Sequence, residues 1–254
     1  MQRARQARTR PSTPTGDPEG ERLLDRSVAG ALAVMPTGRA LAAARRLRSM
    51  DAQVALAIGR GIDQIVLLGA GYDGRALRFG GGAVRWFEVD EPARQADKRR
   101  RLGALGRDPD MVAYVSADVA TEDPCEALAA AGHDTSRPSL FVCDGLVSRL
   151  TLEATATLCH AVRARAAAAS VLVADYRVAP EADGPGRALR ALADLALCAF
   201  GQPRRNEFRP GDPEKLMVVT GWRVTQAERT PESRLDRGAH LLVLTCEPGP
   251  LPRA

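Results

Sequence analysis

Cysteine and histidine are scarce in this sequence and never cluster. The five cysteines are odd in number, widely spaced and form no C-x-x-C pair; they are Cys125, Cys143, Cys159, Cys198 and Cys246. The three histidines also lie far apart. These spacings argue against a disulfide framework and against a local zinc site. We therefore expect reduced thiols, no bound metal and a cytoplasmic location.

Long apolar runs and lysine are also in short supply. No stretch of about 18 consecutive apolar residues occurs, and the N-terminus lacks the apolar core of a secretory signal, so neither a membrane span nor export is expected. Lys98 and Lys215 are the only lysines, and the net charge of +5 comes from arginines mixed with 31 acidic residues. That mixture does not predict a nucleic-acid partner.

The remaining composition suits one α/β domain. The chain has 254 residues, of which 45% are hydrophobic, enough for a sizeable core. Arginines among proline, threonine and glycine predict a flexible basic leader over residues 1–20. Residues 21–254 are expected to form a single domain with an N-terminal helical cap at 21–60. An insertion at 177–212 would overhang the carboxyl edge of the sheet, where ligands bind.

Short apolar segments alternate with helical segments along most of this domain. Five of them read as parallel strands, near residues 64–68, 84–90, 112–117, 140–143 and 171–174. Two more, at 223–227 and 239–246, read as a closing hairpin. The order predicts a doubly wound, mostly parallel, seven-stranded Rossmann-like α/β sheet with helices on both faces and an antiparallel hairpin at the end.

Glycines follow the first predicted strand directly. Gly69, Gly71 and Gly74 form the pattern G-x-G-x-x-G. Glycine allows a positive φ and a close approach of a ligand to the backbone, and the helix that follows would direct its first amides at that ligand. Taken alone, this turn fits NAD(P), S-adenosylmethionine or no ligand at all.

Acidic side chains close four successive strands: Asp90, Asp118, Asp144 and Asp175. In a parallel sheet these strand ends share one edge, so the acids are expected to converge on one crevice. Asp90 suits the two ribose hydroxyls, and Asp118 with Val119 suits an adenine. No Tyr-x-x-x-Lys pair follows any of the three tyrosines, and the closing hairpin is typical of S-adenosylmethionine-dependent methyltransferases. A sulfonium cation is also well accommodated among carboxylates. These features favour S-adenosylmethionine over NAD(P).

Seven short segments together make the resemblance specific. They are Arg46-Leu-Arg-Ser-Met-Asp51, Gln64 to Arg78, Phe87-Glu-Val-Asp-Glu-Pro92, Ser116-Ala-Asp-Val119, Ala130-Ala-Gly-His-Asp-Thr-Ser-Arg-Pro138, Asp144-Gly-Leu146 and Gly221-Trp222. In this order, over about residues 40–246, the chain resembles the leucine carboxyl methyltransferase family, in its bacterial branch of S-adenosylmethionine-dependent and polyketide O-methyltransferases.

The resemblance implies a role for each matching position toward S-adenosyl-L-methionine. Arg46, or else Arg48, would bind the carboxylate of the methionyl arm. The turn residues Gly69 and Gly71 would back that arm, and Asp73 would sit in the same turn of the cofactor site. The remaining positions would hold the ribose (Asp90, with Glu88 on the same face of its strand), the adenine (Asp118 and Val119) and the amino group or ribose near the sulfonium (Asp144).

The chain departs from the family next to the reacting centre. It reads Asp144-Gly-Leu-Val-Ser-Arg-Leu150 where the family has Glu-Gly-Leu-Leu-Met-Tyr-Leu, so the carboxylate is one methylene shorter and Arg149 replaces a tyrosine. Arg149, or an arginine of the 204–209 loop, could orient a carboxylate acceptor, which needs no general base. A hydroxyl acceptor needs one, and Tyr176, Asp175 and Asp144 are the candidates.

Three functional hypotheses remain open from the sequence. The first is an O-methyltransferase acting on a small-molecule carboxylate or hydroxyl in secondary metabolism, as a monomer or homodimer. The second is an enzyme that cyclises the 3-amino-3-carboxypropyl arm of S-adenosylmethionine and releases methylthioadenosine. The third is a non-catalytic module that binds S-adenosylmethionine. The candidate catalytic residues are Asp144, Arg149 and Tyr176.

Overall fold

A computed structural model describes residues 17–23, 37–179, 206–231 and 240–250 of the chain. The helices in these ranges are α1 (Pro18–Leu23), α2 (Thr37–Gly59), α3 (Arg75–Phe79), α4 (Pro92–Ala104), α5 (Cys125–Ala130), α6 (Leu152–Ala164) and α7 (Asp212–Val219). The strands are β1 (Gln64–Leu68), β2 (Arg85–Asp90), β3 (Ala113–Ser116), β4 (Ser139–Cys143), β5 (Val171–Val178), β6 (Trp222–Pro231) and β7 (His240–Pro248). Short 3₁₀ turns occupy Pro109–Met111 and Val147–Arg149.

The seven strands form one sheet in the order β3-β2-β1-β4-β5-β7-β6. Strands β1 to β5 are parallel, and β7 runs antiparallel to both β5 and β6. The predicted α/β fold class and its closing hairpin are therefore confirmed. Because β1, β2 and β4 pair in register, their carboxyl ends at Leu68, Val89 and Cys143 lie side by side. This edge carries the loops that form the candidate site.

Strand residues alternate between two apolar layers, one on each face of the sheet. Val66, Phe87 and Phe141 belong to the layer covered by α5 and α6. Ile65 and Leu140 belong to the opposite layer, which α2 covers with its own buried residues Met50, Val54 and Ala57. Strands buried on both faces are what a parallel sheet between two helical layers requires. Helix α2 therefore lies on the face toward which Asp90 and Asp175 also point.

The family segment at 130–138 lies at the opposite, amino edge of the sheet. There the Gln64 amide donates to the Asp134 carbonyl at 2.9 Å and accepts from the Asp134 N–H at 2.9 Å. His133 lies 2.9 Å from the Ser139 hydroxyl and packs its ring on Phe87 and Phe141. Burial, reinforced by Arg165, lowers the pKa of His133 to about 4, so the ring is neutral at pH 7. This segment joins the starts of β1 and β4 and lies away from the crevice.

Several predicted boundaries change in the structure. Strand β5 continues to Val178, so Asp175 lies inside the strand and does not end it. The predicted basic leader at 1–20 ends too late, since Asp17 is only 8% exposed and α1 begins at Pro18. Most of the predicted insertion, at 180–205, lies outside the described residues, as does Cys198. None of the helices in the described ranges is long and apolar enough to cross a membrane.

Candidate active site

The glycine turn forms the floor of the crevice. Gly69 has φ 63° and Gly71 has φ 51°, backbone conformations that residues other than glycine rarely adopt. A β-carbon added at Gly69 would lie 2.8 Å from the Leu146 side chain, whereas at Gly71 the nearest atom is the Gly69 carbonyl oxygen at 3.9 Å. The Leu146 side chain therefore packs against Gly69, while space remains over Gly71 for a ligand to meet the backbone.

Asp90 stands at the end of β2, directly against this turn. Its carboxylate accepts hydrogen bonds from the N–H of Gly71 at 2.5 Å and from that of Glu91 at 2.8 Å. These bonds fix the carboxylate beside the open space over Gly71. Because an ionised carboxylate offers about four acceptor sites, capacity remains for the two hydroxyls of a ribose. The geometry fits the role that the sequence predicts for Asp90.

Asp118 and Val119 begin the loop after β3. The Asp118 carboxylate accepts from the Ala120 N–H at 3.0 Å and from the Thr121 hydroxyl at 3.2 Å, which stabilises the loop. Val119 is 8% exposed and belongs to the core. A cleft of about 230 Å³ lies beside this loop, lined by Val119, Thr121 and residues of α6 such as Thr157. Val119 thus lines an open cleft, whereas Asp118 stands one residue before it and is not among the residues that line the cleft. Their predicted role toward an adenine stays a prediction.

Arg46 of α2 contacts two acids, Asp144 just after β4 and Asp175 within β5. Its Nε lies 2.9 Å from one oxygen of Asp144, a close ion pair, and its Nη1 donates to Asp175 at 3.4 Å. Asp175 also accepts from the Gly145 N–H at 2.6 Å. The guanidinium side chain of Arg46 is 26% exposed. These contacts place Arg46 at the crevice between β4 and β5, near the position expected for the methionyl carboxylate.

The two acids around Arg46 differ in their tendency to hold a proton. Burial raises the pKa of Asp144, but Arg46 and Arg75 outweigh it and hold this pKa at about 2. Burial also raises the pKa of Asp175, and the negative charge of Asp144 raises it further against the opposing effect of Arg46. Asp144 is thus an anion at every physiological pH, and Asp175 is the more basic of the pair.

Arg75 joins the turn, α2 and the end of β4. Its side chain is fully buried, and it donates Nε to Asp51 at 2.9 Å and Nη2 to Asp144 at 2.7 Å. Its third side-chain partner is Asp73, whose carboxylate also accepts from the Arg75 backbone N–H at 2.7 Å. Asp73 is therefore part of the glycine turn as predicted, and it holds Arg75 there. Burial lowers the pKa of Arg75, but the three carboxylates outweigh this and hold it well above its usual range.

Arg48 takes no part in the crevice. Two residues along a helix correspond to a rotation of about 200°, so Arg46 and Arg48 point in nearly opposite directions. The Arg48 Nε donates to the Ala44 carbonyl at 3.3 Å on its own helix. Of the two arginines that the resemblance offers for the methionyl carboxylate, Arg46 is the one at the crevice.

Glu88 is enclosed below the turn, in a different environment from the one predicted. It is 2% exposed, and the Lys98 ammonium contacts its two oxygens at 2.7 and 2.8 Å. Lys98 also donates to the Asp73 carbonyl at 2.8 Å. Glu88 shares a face with Asp90, as the strand period requires, but this buried ion pair occupies its carboxylate. Its position is that of a support beneath the glycine turn, and no open space for a ribose reaches it.

Tyr176 does not face the crevice. Side chains alternate across a strand, so the acid at 175 and the tyrosine at 176 point to opposite faces of β5. Tyr176 is 0% exposed, its hydroxyl lies 3.4 Å from the Met217 sulfur, and its ring packs edge-on against Phe208. Burial raises the pKa of Tyr176 well above its usual range. The prediction of Tyr176 as a catalytic residue is inconsistent with this placement.

Replacing Tyr176 by phenylalanine should leave turnover within about twofold of the wild type. The hydroxyl contacts two sulfur groups, the Met217 thioether and the Cys159 thiol, so its loss removes weak interactions and leaves the ring packing in place. Steady-state kinetics with the cofactor and an acceptor measure this. A loss of turnover of a hundredfold or more would restore Tyr176 as the general base.

Arg149 lies at the mouth of the crevice, in the 3₁₀ turn after β4. Among the described residues its side chain has one hydrogen-bond partner, the Gly145 carbonyl, at 3.1 Å from Nε. Burial lowers the pKa of Arg149 and the nearby Arg94 lowers it further, while Asp90 and Asp175 act in the opposite direction. Arg149 is therefore a partly buried cation close to the crevice acids that makes no direct ion pair with any of them.

Sequence reasoning missed the charged residues that support the site from behind. Asp51 accepts from Arg75 and Arg78, and Asp17 accepts from Arg78 Nε at 2.9 Å and from the Gly74 N–H at 2.8 Å. A partial signal was available, because Arg75 and Arg78 are three residues apart and so share one face of α3. Nothing in the local sequence indicates that their partners come from residues 17 and 51.

Comparison of the sequence with known proteins identifies the family to which the chain is similar. The sequence profile of the family described as leucine carboxyl methyltransferase matches residues 12–163. A protein of Mycobacterium avium (strain 104), named as a candidate S-adenosyl-L-methionine-dependent methyltransferase, is 33% identical over 214 residues, which are 80% of this chain and 67% of that protein. A similarly named protein of Frankia alni is 37% identical over 135 residues, 52% of this chain and 46% of that protein. The chain thus spans two thirds of the first relative and less than half of the second.

Solved structures share the fold at low identity. A candidate methyltransferase from Thermobifida fusca superposes with a TM-score of 0.59 at 20% identity, over 94% of this chain and 96% of that one. The magnesium protoporphyrin IX methyltransferase of Synechocystis PCC 6803, solved with bound S-adenosylhomocysteine, gives a TM-score of 0.54 at 12% identity over 89% of each chain. These structures establish the fold, whereas the profile match and the M. avium relative establish the family. The chain belongs to the leucine carboxyl methyltransferase family.

Proposed function

We propose that this protein transfers a methyl group from S-adenosyl-L-methionine to an oxygen of a small-molecule acceptor, and that this oxygen belongs to a carboxylate. Use of S-adenosyl-L-methionine and methyltransferase activity follow from membership of the family. The acceptor class, a role in secondary metabolism and a cytoplasmic location are the finer parts of the proposal. The cofactor supplies a methyl group activated by a positively charged sulfur.

The crevice residues divide the cofactor among them. Asp90 accepts the ribose hydroxyls beside Gly71, and Asp118 with Val119 holds the adenine. Asp144 faces the amino group of the methionyl arm, and Arg46 its carboxylate. The role of each residue is taken from the resemblance to the family. The positions of these residues around the glycine turn are consistent with all of them contacting one cofactor molecule. With the cofactor held in this way, catalysis consists of placing the acceptor oxygen in line with the methyl group.

The placement of Arg149 is the observation that carries the acceptor class. Burial and Arg94 both disfavour its charge, and among the described residues no carboxylate lies within ion-pair distance of it. Such a cation is stabilised by an anion that enters from solvent, and a guanidinium matches a carboxylate with two parallel hydrogen bonds. An acceptor carboxylate bound there would approach the crevice from its open side.

The candidate bases give a second argument for a carboxylate acceptor. A hydroxyl acceptor must lose a proton, but Tyr176 lies in the core and the pKa of Asp144 is about 2, which makes Asp144 a weak base. Asp175 remains, with one of its oxygens already accepting from Gly145. A carboxylic acid is ionised at pH 7 and needs no base. The hydroxyl acceptor is therefore the second candidate, with Asp175 as its base.

Product analysis tests the proposal. The purified protein is incubated with S-adenosyl-L-methionine alone and with a panel of small carboxylic acids and phenols. We expect S-adenosylhomocysteine and a methyl ester only where an acid is present. Methyl ethers from the phenols would favour the hydroxyl acceptor. Methylthioadenosine released without any acceptor would identify the cyclising reaction instead, and the absence of all products together with intact cofactor binding would identify a non-catalytic module.

Replacing Arg149 by methionine should raise KM for the acid about tenfold and leave the affinity for S-adenosylhomocysteine within about twofold. Methionine keeps the length of the side chain but removes the charge, and tenfold corresponds to about 1.4 kcal/mol, within the range of a charge-assisted hydrogen bond. Kinetics with the acid and calorimetry with the cofactor product measure the two effects. Arg149→Lys is the control and should lie between. An equal loss of both affinities would place Arg149 in the cofactor site.

A further inference from the structure

We propose that Arg75 is the positioning residue for the amino-acid arm of the cofactor, because it holds the Asp144 carboxylate and the helix that carries Arg46 in one fixed arrangement. The inference rests on the proposed function for one assignment, that Asp144 and Arg46 face this arm. Arg75 itself does not reach the crevice, since its side chain is 0% exposed.

The geometry of Arg75 joins three separate parts of the site. Its three nitrogens contact one carboxylate each: Asp51 on α2, Asp73 in the glycine turn and Asp144 after β4. A planar guanidinium has five N–H donors in a fixed fork, so one side chain can define the relative positions of three acceptors. A lysine ammonium on its flexible stem is a single point and cannot hold the same three groups in place.

Asp144 depends on this support more than a longer acid would. One of its oxygens accepts from Arg75 at 2.7 Å, and the other lies 2.9 Å from the Arg46 Nε. The chain has aspartate where the family has glutamate, so the carboxylate stays closer to the floor of the crevice. The hydrogen bond from Arg75 therefore determines where the Asp144 carboxylate lies relative to the cofactor amino group. Movement of Arg75 would therefore move a group that touches the cofactor.

Helix α2 is held through the same residue. Asp51 and Arg46 lie on this helix five residues apart, and Asp51 accepts from both Arg75 and Arg78. The contact from Arg75 thus fixes the helix just beyond the point where Arg46 reaches the crevice. Stability alone does not explain why Arg75 and its carboxylate partners are buried together, because apolar side chains of the same volume often stabilise a fold equally well.

The charge state of Asp144 gives a readout that a purely structural role would not affect. The groups facing it are Arg46 from α2, Arg75 and Arg78 from α3 and Asp175 from β5. With both near arginines in place, its pKa is about 2, and it stays ionised throughout the pH range of an assay. Without the Arg75 fork, Arg46 and Arg78 still oppose the effect of burial, but the hydrogen bond from Arg75 is lost and the pKa of Asp144 would rise. Binding that needs the anion would then weaken as the pH falls through the new pKa.

The test compares Arg75→Lys with the wild type, using S-adenosylhomocysteine as the probe in calorimetry between pH 5 and pH 9. This probe carries the same amino-acid arm as the cofactor. We expect Arg75→Lys to raise Kd about tenfold at pH 8 and more at pH 5, while the difference between pH 8 and pH 5 is smaller in the wild type. Arg163→Lys is the matched control, because Arg163 also donates through a fork, to the carbonyls of Gly221 and Gly249, far from the crevice. It should bind the probe like the wild type.

Asp51→Asn provides a second variant should Arg75→Lys fail to fold. It keeps an acceptor oxygen and does not touch the cofactor, yet it weakens the hold on Arg75, so we expect Kd to rise about threefold. If Arg75→Lys folds and leaves both the affinity and its pH profile unchanged, the inference is overturned. If only Asp51→Asn folds, the same result in that variant overturns it. A wild type that does not bind S-adenosylhomocysteine would overturn the cofactor assignment, which distinguishes the two failures.

Discussion

Replacing Asp90 by asparagine should weaken the binding of S-adenosylhomocysteine by about 30-fold or more. The carboxylate is fixed against the turn by the N–H groups of Gly71 and Glu91. In that position it can accept both ribose hydroxyls, and each hydrogen bond to a charged group contributes about 1.5–3 kcal/mol. The asparagine amide has one acceptor oxygen, and an NH₂ donor replaces the second oxygen of the carboxylate. At least one ribose hydroxyl therefore loses its acceptor and faces an N–H group instead.

Folding should suffer far less than binding in this variant. The amide oxygen can still accept from Gly71, and the charge that is removed lies at the edge of the crevice. Calorimetry gives Kd, and thermal unfolding without ligand gives the stability of the same preparation. Glu91→Gln is the control, since Glu91 is the exposed neighbour and should bind normally. A fall in stability as large as the loss of binding energy would show that Asp90 serves the fold and not the ribose.

Replacing Lys98 by methionine should destabilise the protein by about 3–5 kcal/mol at pH 8, because it leaves the Glu88 carboxylate charged and unpaired in the interior. In the wild type, burial raises the pKa of Glu88, and Lys98 opposes this effect. Without Lys98 the pKa rises further. Below the new pKa Glu88 takes up a proton and becomes neutral, so the stability of the variant falls as the pH rises through that value. The loss should therefore be smaller at pH 5 than at pH 8.

Urea unfolding of wild type and variant at the two pH values measures the effect. The double variant Lys98→Met with Glu88→Gln should recover much of the loss at pH 8, because no buried charge remains. Recovery will be incomplete, since methionine cannot replace the hydrogen bond from Lys98 to the Asp73 carbonyl. A loss of the same size at both pH values, or no recovery in the double variant, would mean that Glu88 is not a charged buried partner. Glu88→Gln alone also shows whether the residue contributes to cofactor affinity.

Local patterns were enough to predict the sheet and the glycine turn at its carboxyl edge. Gly69, Gly71 and Asp90 are tied to strand ends, and a parallel sheet brings strand ends together whatever the loops contain. The parallel direction of β1 to β5 followed from their alternation with helices. These features depend on short-range periodicity and on one rule of connection, both of which are visible in a single sequence.

The errors have physical causes that differ from one residue to the next. The strand through Asp175 was predicted to end there, and its continuation to Val178 carries Tyr176 into the core on the opposite face. Glu88 was expected to bind the ribose together with Asp90. Instead it forms an ion pair with Lys98, which helix α4 places against β2. The partners of Arg75 come from three distant parts of the chain. Pairings of this kind depend on tertiary packing, which periodicity does not encode.

The two outermost strands of the sheet, β3 and β6, are where strands of another copy could pair. Edge strand β3 has four residues, too short to attract a long partner strand. Edge strand β6 has ten, but its register shifts between Val224 and Gln226 and it ends on Pro231. Its solvent-facing residues include Glu228 and Arg229. Short length, a bulge, charges and proline are the means by which sheet proteins resist pairing with further copies in an amyloid-like manner. The carboxyl edge can thus remain open to ligands while the lateral edges stay closed to other strands.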